Sequence, residues 1–297
     1  MTALKSRPGT SSHRLADGRS VDVHELATGD GRTIVFCHPA PGAGTFDPDP
    51  ESTASREVTM IAVDRPGYGG SDAVTGDAWS TVDGAARDIL AVLDARGLDR
   101  VSTVGWSAGG RVALALGALA PERVERIAVV ATPAPHEEVP WVPDEQQAGL
   151  EALRGKPPAE VHAVLGAMLQ AMVPADPASD DALAMIGARP EDAEILGRPG
   201  MRERLATMLE AAFAQGAVGM TQDIAGYCLR PWGFDLSDVA AKTLLVYGSA
   251  DPIAGSRHGT WYQRQLPDAR LEMAPGAGHL VVVPQWSRIL AHLAPSR

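Results

Sequence analysis

A chain of 297 residues, 45% apolar and 21% charged, can bury a full core and still carry an insertion, as one large domain or two small ones. Its formal net charge of −11 argues against nucleic acid and anionic membranes as partners. Two distant cysteines, Cys37 and Cys228, make no disulfide framework and fit a reducing, cytoplasmic setting; no Cys/His cluster has metal-ligand spacing, and no apolar stretch is long enough to span a bilayer.

Met1–Ser12 is polar and lacks an apolar stretch, so it reads as a flexible tail rather than a signal peptide. His13–Ala27 reads as a β-hairpin around the turn pair Asp17-Gly18. Thr33–His38 and Thr59–Asp64 are short buried strands, and Val82–Arg96 has helical spacing that stops at Gly97. Val101–Trp106 is a strand, Ala108–Ala120 a helix ended by Pro121, and Arg126–Thr132 a further strand. The rhythm resumes with a strand at Thr243–Gly248, a helix at Ser256–Leu266, a strand at Ala269–Ala274 and a helix at Pro284–Leu293. Such alternation predicts an α/β fold, a mostly parallel sheet with helices on both faces. Between Pro133 and Asp235 strand-like runs vanish, and helical segments such as Val161–Met172 and Met201–Phe213 are separated by Pro- and Gly-rich joints. The expected organisation is a tail (1–12), a core (13–133 and 236–297) and a helical cap (134–235) over the sheet's C-terminal edge. In the competing arrangement those helices join the main layers.

The chemistry centres on Gly105-Trp106-Ser107-Ala108-Gly109, a G-x-S-x-G run between a strand and a helix. A serine at such a bend stands exposed above the sheet, and the tight bend demands small residues two before and two after it. The competing reading is a glycine-rich turn whose serine only caps the helix. A serine nucleophile needs a base, and His279 sits in a glycine-rich loop directly after the last strand. The imidazole needs an acid; Asp251 lies just beyond a strand, giving the order Ser, Asp, His. Asp251 also suits a helix N-cap or a turn, but the alternative acid position after Thr132 offers no carboxylate before Glu137. Among the other histidines, His13, His24, His162, His258 and His292 read as surface or helix positions, and His136 opens the insertion. Trp106 and Cys37 read as inward-packed strand residues.

Together with these loops, His38-Pro39-Ala40-Pro41-Gly42 and the run Asp64-Arg65-Pro66-Gly67-Tyr68-Gly69-Gly70-Ser71-Asp72 make the chain resemble the α/β-hydrolase superfamily outside the insertion. The likeness is to its serine esterase and C–C hydrolase branches, and it implies an oxyanion hole from the backbone N–H groups of Ala40 and Ala108. The chain departs from the family at Pro39, where Gly is usual; Pro39 and Pro41 have no N–H, so only Ala40 and Gly42 can donate there. His38 is expected to brace that loop, and Asp64 and Arg65 to form a local structural pair. A serine at the bend, rather than an aspartate, argues against dehalogenase and epoxide hydrolase chemistry.

The expected activity is cofactor-free hydrolysis of a small, largely apolar carboxylic ester or lactone through an acyl-enzyme on Ser107. Alternatives are C–C bond hydrolysis of a diketone-like compound with the same triad, or a non-catalytic ligand-binding homologue. Trp141, Met168, Met172, Met208, Phe213 and Trp232 in the insertion are either core or pocket residues, and oligomeric state is not legible.

Overall fold

The hairpin and the apolar runs assemble into one eight-stranded sheet in the computed structural model, which describes residues 9–295. The strands are β1 (Thr10–Arg14), β2 (Ser20–Ala27), β3 (Thr33–Cys37), β4 (Thr59–Val63), β5 (Val101–Trp106), β6 (Val124–Val130), β7 (Lys242–Gly248) and β8 (Ala269–Ala274). Their order is β1-β2-β4-β3-β5-β6-β7-β8; β1 with β2 and β2 with β4 are antiparallel, and every later pairing is parallel. Thr10–Ser12 therefore belong to the hairpin, not to a tail: their backbone pairs with Asp22–His24, and the Thr10 hydroxyl meets His24 Nδ1 at 3.0 Å. The tail expectation for residues 1–8 lies outside the described residues.

The main helices are α1 (Pro50–Ser55), α2 (Val82–Ala95), α3 (Gly109–Leu119), α4 (Asp144–Glu151), α5 (Pro158–Gln170), α6 (Asp180–Met185), α7 (Ala193–Leu196), α8 (Met201–Ala212), α9 (Val218–Leu229), α10 (Ser256–Gln265) and α11 (Trp286–Leu293). Successive strand residues point to opposite faces, and the core divides accordingly. Val35, Cys37, Leu245 and Tyr247 pack with α2, α3 and α10, whereas Ile34, Phe36, Leu244 and Val246 pack with α11. Helices α4–α9 form the cap region between β6 and β7. Part of it has a small core of its own around Leu150, Val161, Leu165 and Leu229; α8 instead sends Leu205, Met208 and Leu209 into the cluster that holds Trp106. Met168 and Met172 are solvent-exposed. Among the described residues no helix is long and apolar enough to cross a membrane.

Helix α1, too short for a periodic signal, is capped by Asp49 and adjoined by Asp47. Burial pushes the Asp47 carboxyl up to about 6, against the Thr53 hydroxyl (2.9 Å) and the Asp49 amide (3.0 Å), which favour its charged form. A carboxyl raised in the folded state contributes stability below its unfolded value near 3.8 and loses it as pH rises through about 6. Asp47→Asn keeps an acceptor oxygen without the buried charge. It is expected to raise stability at pH 8 by about 2 kcal/mol and to leave it unchanged at pH 3.5. Urea melts of both proteins at the two pH values check this.

Candidate active site

Chain direction places the site. From β3 the chain crosses to β4 on one side and then to β5 on the other, so the loops leaving β3 and β5 diverge at a topological switch point. In open parallel sheets ligands bind in that crevice, at the C-terminal strand ends. The loop after β3 holds His38–Gly42, and the bend after β5 holds Ser107.

Ser107 has φ +53°, a left-handed conformation that costs a non-glycine residue free energy, and its amide donates to Val130 O at 2.8 Å. The flanking glycines are required by close approach. A Cβ at Gly105 would overlap the Gly109 carbonyl, one at Gly109 would overlap the Cys37 and His38 carbonyls, and one at Gly110 the Thr132 hydroxyl. The N-terminus of α3 is thereby pressed against the loop after β3.

The Ser107 hydroxyl donates to His279 Nε2 at 3.0 Å, and His279 Nδ1 donates to Asp251 Oδ2 at 2.8 Å. Asp251 Oδ1 accepts the amides of Ile253 (2.8 Å) and Ala254 (3.1 Å). Burial pushes the Asp251 carboxyl up, but the His279 hydrogen bond and charge and the two amides outweigh it, leaving the carboxyl below its ordinary value. The loops carrying these residues are joined: Ala250 N donates to Ala277 O, and Gly276 N to the Ser249 hydroxyl. Trp106, fully buried, donates its indole N–H to His279 O at 3.1 Å. Ser107 and Ala108 remain partly exposed.

The loop after β3 is held by a residue whose role the sequence did not disclose. Asp64 and Arg65 do not pair with each other, because neighbouring residues at a strand end point apart. Asp64 accepts from His24 Nε2 (2.8 Å) and Gly44 N (2.5 Å), which also makes His24 a buried strand residue rather than a surface one. Arg65, buried, donates Nη1 to His38 O (2.5 Å), Nη2 to Pro39 O (2.8 Å), and Nε and Nη2 to Asp223 of cap helix α9 (2.7–3.2 Å). Burial works against the charged guanidinium, but Asp223 more than offsets it, so Arg65 is held firmly charged. His38 braces the loop as expected: Nδ1 donates to Pro39 O at 2.8 Å and Nε2 accepts the Arg65 amide at 3.1 Å. Burial and the Arg65 charge keep its imidazole neutral. With Pro39 C=O held by two donors, the trans peptide turns the Ala40 N–H the opposite way. Neither the Ala40 nor the Ala108 amide has an acceptor among the described residues.

The cap also touches the histidine loop. Asp192, buried, accepts the Leu280 amide at 3.2 Å, and Gly187 leaves no room for a Cβ against the His279 ring. Sequence offered no signal for Asp192 or Asp223, since acidic residues are common in that insertion. His258, read as a surface or helix position, is on α10 but buried, and its Nδ1 accepts the Ala134 amide at 3.0 Å. No group of three or more metal-ligating side chains clusters among the described residues.

Comparison with known proteins agrees with this architecture. A family profile described as alpha/beta hydrolase fold matches residues 32–284. The chain is similar to a pimeloyl-acyl-carrier protein methyl ester esterase of Nitrosomonas europaea, 27% identical over 86% of this chain and 92% of the relative. It is equally similar to a 2-hydroxy-6-oxononadienedioate/2-hydroxy-6-oxononatrienedioate hydrolase of Burkholderia vietnamiensis, 27% identical over 96% of this chain and 93% of the relative. Its fold is shared with a thermophilic esterase from Thermogutta terrifontis, with a TM-score of 0.67 at 21% identity, covering 96% of this chain and 95% of the other. A matched span of 253 residues, an eight-stranded mostly parallel sheet and a helical cap between β6 and β7 place this chain in the α/β hydrolase fold family.

Proposed function

We propose that the chain is a serine hydrolase of small, largely apolar carboxylic esters or lactones, with Ser107 as nucleophile, His279 as base and Asp251 as the acid that orients it. The observation that carries this reading is the unbroken relay from Ser107 Oγ to His279 Nε2 (3.0 Å) and from Nδ1 to Asp251 (2.8 Å). In the reaction, Ser107 Oγ bonds to the carbonyl carbon while its proton passes to His279 Nε2. The oxyanion is met by the Ala40 and Ala108 amides, whose lack of another acceptor supports that role. The imidazolium then protonates the departing alkoxide. A water deprotonated by the same nitrogen attacks the acyl-enzyme, releasing the acid and restoring Ser107. No metal or organic cofactor enters any step.

Full-length similarity to the dienedioate hydrolase supports a second reading, cleavage of a C–C bond in a vinylogous diketone by the same three side chains. A fluorophosphonate probe tests the shared chemistry. Labelling is expected at Ser107, absent in Ser107→Ala and much reduced in His279→Ala. An unlabelled wild-type protein that still binds small ligands would instead point to a non-catalytic binding homologue. Turnover measured across short and long acyl esters, lactones and vinylogous diketones then separates the two readings.

A further inference from the structure

One cavity is lined by none of the three relay side chains and carries several arginines. It has a volume of about 350 Å³ and is walled by the segment after β6, the end of α9 with the residues that follow it, and Arg111 of α3; Ser107, Asp251 and His279 do not line it. Three of its wall residues are arginines; Arg154 is paired with Glu151 (2.8 Å) and with the wall residue Glu137 (3.5 Å), whereas Arg111 and Arg230 have no carboxylate partner among the described residues, in a chain whose net charge is −11. The surplus of positive charge is therefore local and opposite in sign to the protein as a whole.

Arg111 is the unusual member. It stands in the first turn of α3 with 4% of its surface exposed, and no carboxylate lies within 4.0 Å of it among the described residues. Its guanidinium donates Nε and Nη2 to a single carbonyl, Pro133 O, at 3.4 and 3.1 Å. Three rings surround the cation, Trp232 at 5.0 Å, Tyr227 at 5.9 Å and Trp141 at 6.0 Å. Aromatic faces hold a cation in place but accept no strong hydrogen bonds; the Tyr262 hydroxyl is a further polar neighbour of the guanidinium, and Nη1 makes no hydrogen bond among the described residues. A buried cation with no counter-charge is costly unless something supplies one. The contrast with Arg65, equally buried and met by Asp223, is internal to this molecule. The walls are also preformed: Trp141 N and Val142 N both donate to His136 Nδ1, and Trp141 Nε1 donates to Ala134 O.

The geometry points to a binding site for a small aromatic carboxylate, its anion on the Arg111 guanidinium and its ring against the cavity wall that Trp141 and Trp232 line. A carboxylate fits better than a phosphate for two reasons. One guanidinium edge is open, which suits a monoanion, and Glu137 on the same wall opposes a second negative charge. The flat aromatic walls ask for a planar body, which inorganic anions lack. This site is independent of the hydrolytic reading and stands or falls without it.

The test is a calorimetric titration of the full chain carrying Ser107→Ala, so that turnover is absent, with phenylacetate, phenylacetamide and inorganic phosphate. Phenylacetate is expected to bind saturably, with phenylacetamide and phosphate each weaker by about tenfold or more. Arg111→Met is expected to abolish phenylacetate binding. Because that residue is buried, the exposed wall arginine gives a second arm: Arg230→Ala is expected to weaken binding by about threefold to tenfold in a normally folded protein. Equal binding of acid and amide, preference for phosphate, no saturation by phenylacetate up to about 10 mM, or unchanged affinity in both arginine variants overturns the proposal.

Discussion

Ser107→Ala is expected to lower kcat toward the best ester or lactone substrate by about 10⁴-fold or more, with the protein still folded and KM little changed. The serine's positive φ of +53° is as tolerable for alanine as for serine, so the bend itself survives the substitution. On the proposed mechanism what disappears is the atom that bonds to the substrate, and Cys37 does not replace it, since it is buried and burial pushes its thiol up to about 12. A residual rate above background is still expected, because on the same proposal the Ala40 and Ala108 amides would continue to stabilise an oxyanion formed by water attack. Steady-state kinetics on the purified variant decide the matter. Activity within tenfold of wild type would place the nucleophile elsewhere.

The second large effect belongs to the cap. Asp223→Leu alone is expected to destabilise the fold by about 3–5 kcal/mol, because it strands Arg65 as an uncompensated buried charge. Pairing it with Arg65→Met removes both charges and is expected to restore stability to within about 2 kcal/mol of wild type, the remainder being the donors lost by the buried His38 and Pro39 carbonyls. Activity is expected not to return with it: kcat stays down by about 100-fold, the worth of one oxyanion donor, while KM moves little. The reason is that Arg65 also holds His38 O and Pro39 O, and so aims the Ala40 N–H, which methionine cannot do. A purely structural role for the pair predicts recovery of kcat along with stability in the double variant. Thermal melts and kinetics on the same preparations distinguish the two.

That pair also marks the boundary of what could be read from residues in order. The alternating strands and helices, the bend at Ser107 and the loops carrying Asp251 and His279 are each local patterns, encoded within a few residues of one another. Strands at Val101–Trp106 and Ala269–Ala274 fall at the bounds read from the sequence. Thr10–Ser12 were missed because strand pairing there is set by the partner, β2, and not by their own polar side chains. The exposed Met168 and Met172 and the buried Met208 show the same limit, since helical spacing alone does not say which face meets the core.

The chain's order of residues by itself determined the class of fold and the three side chains held together at the switch point, because backbone geometry and glycine spacing are short-range matters. Tertiary structure alone decided the partners of Arg65, Asp64, Asp192 and Arg111. Those depend on elements up to 158 residues apart meeting in space, and electrostatic pairing follows distance through the fold rather than distance along the chain.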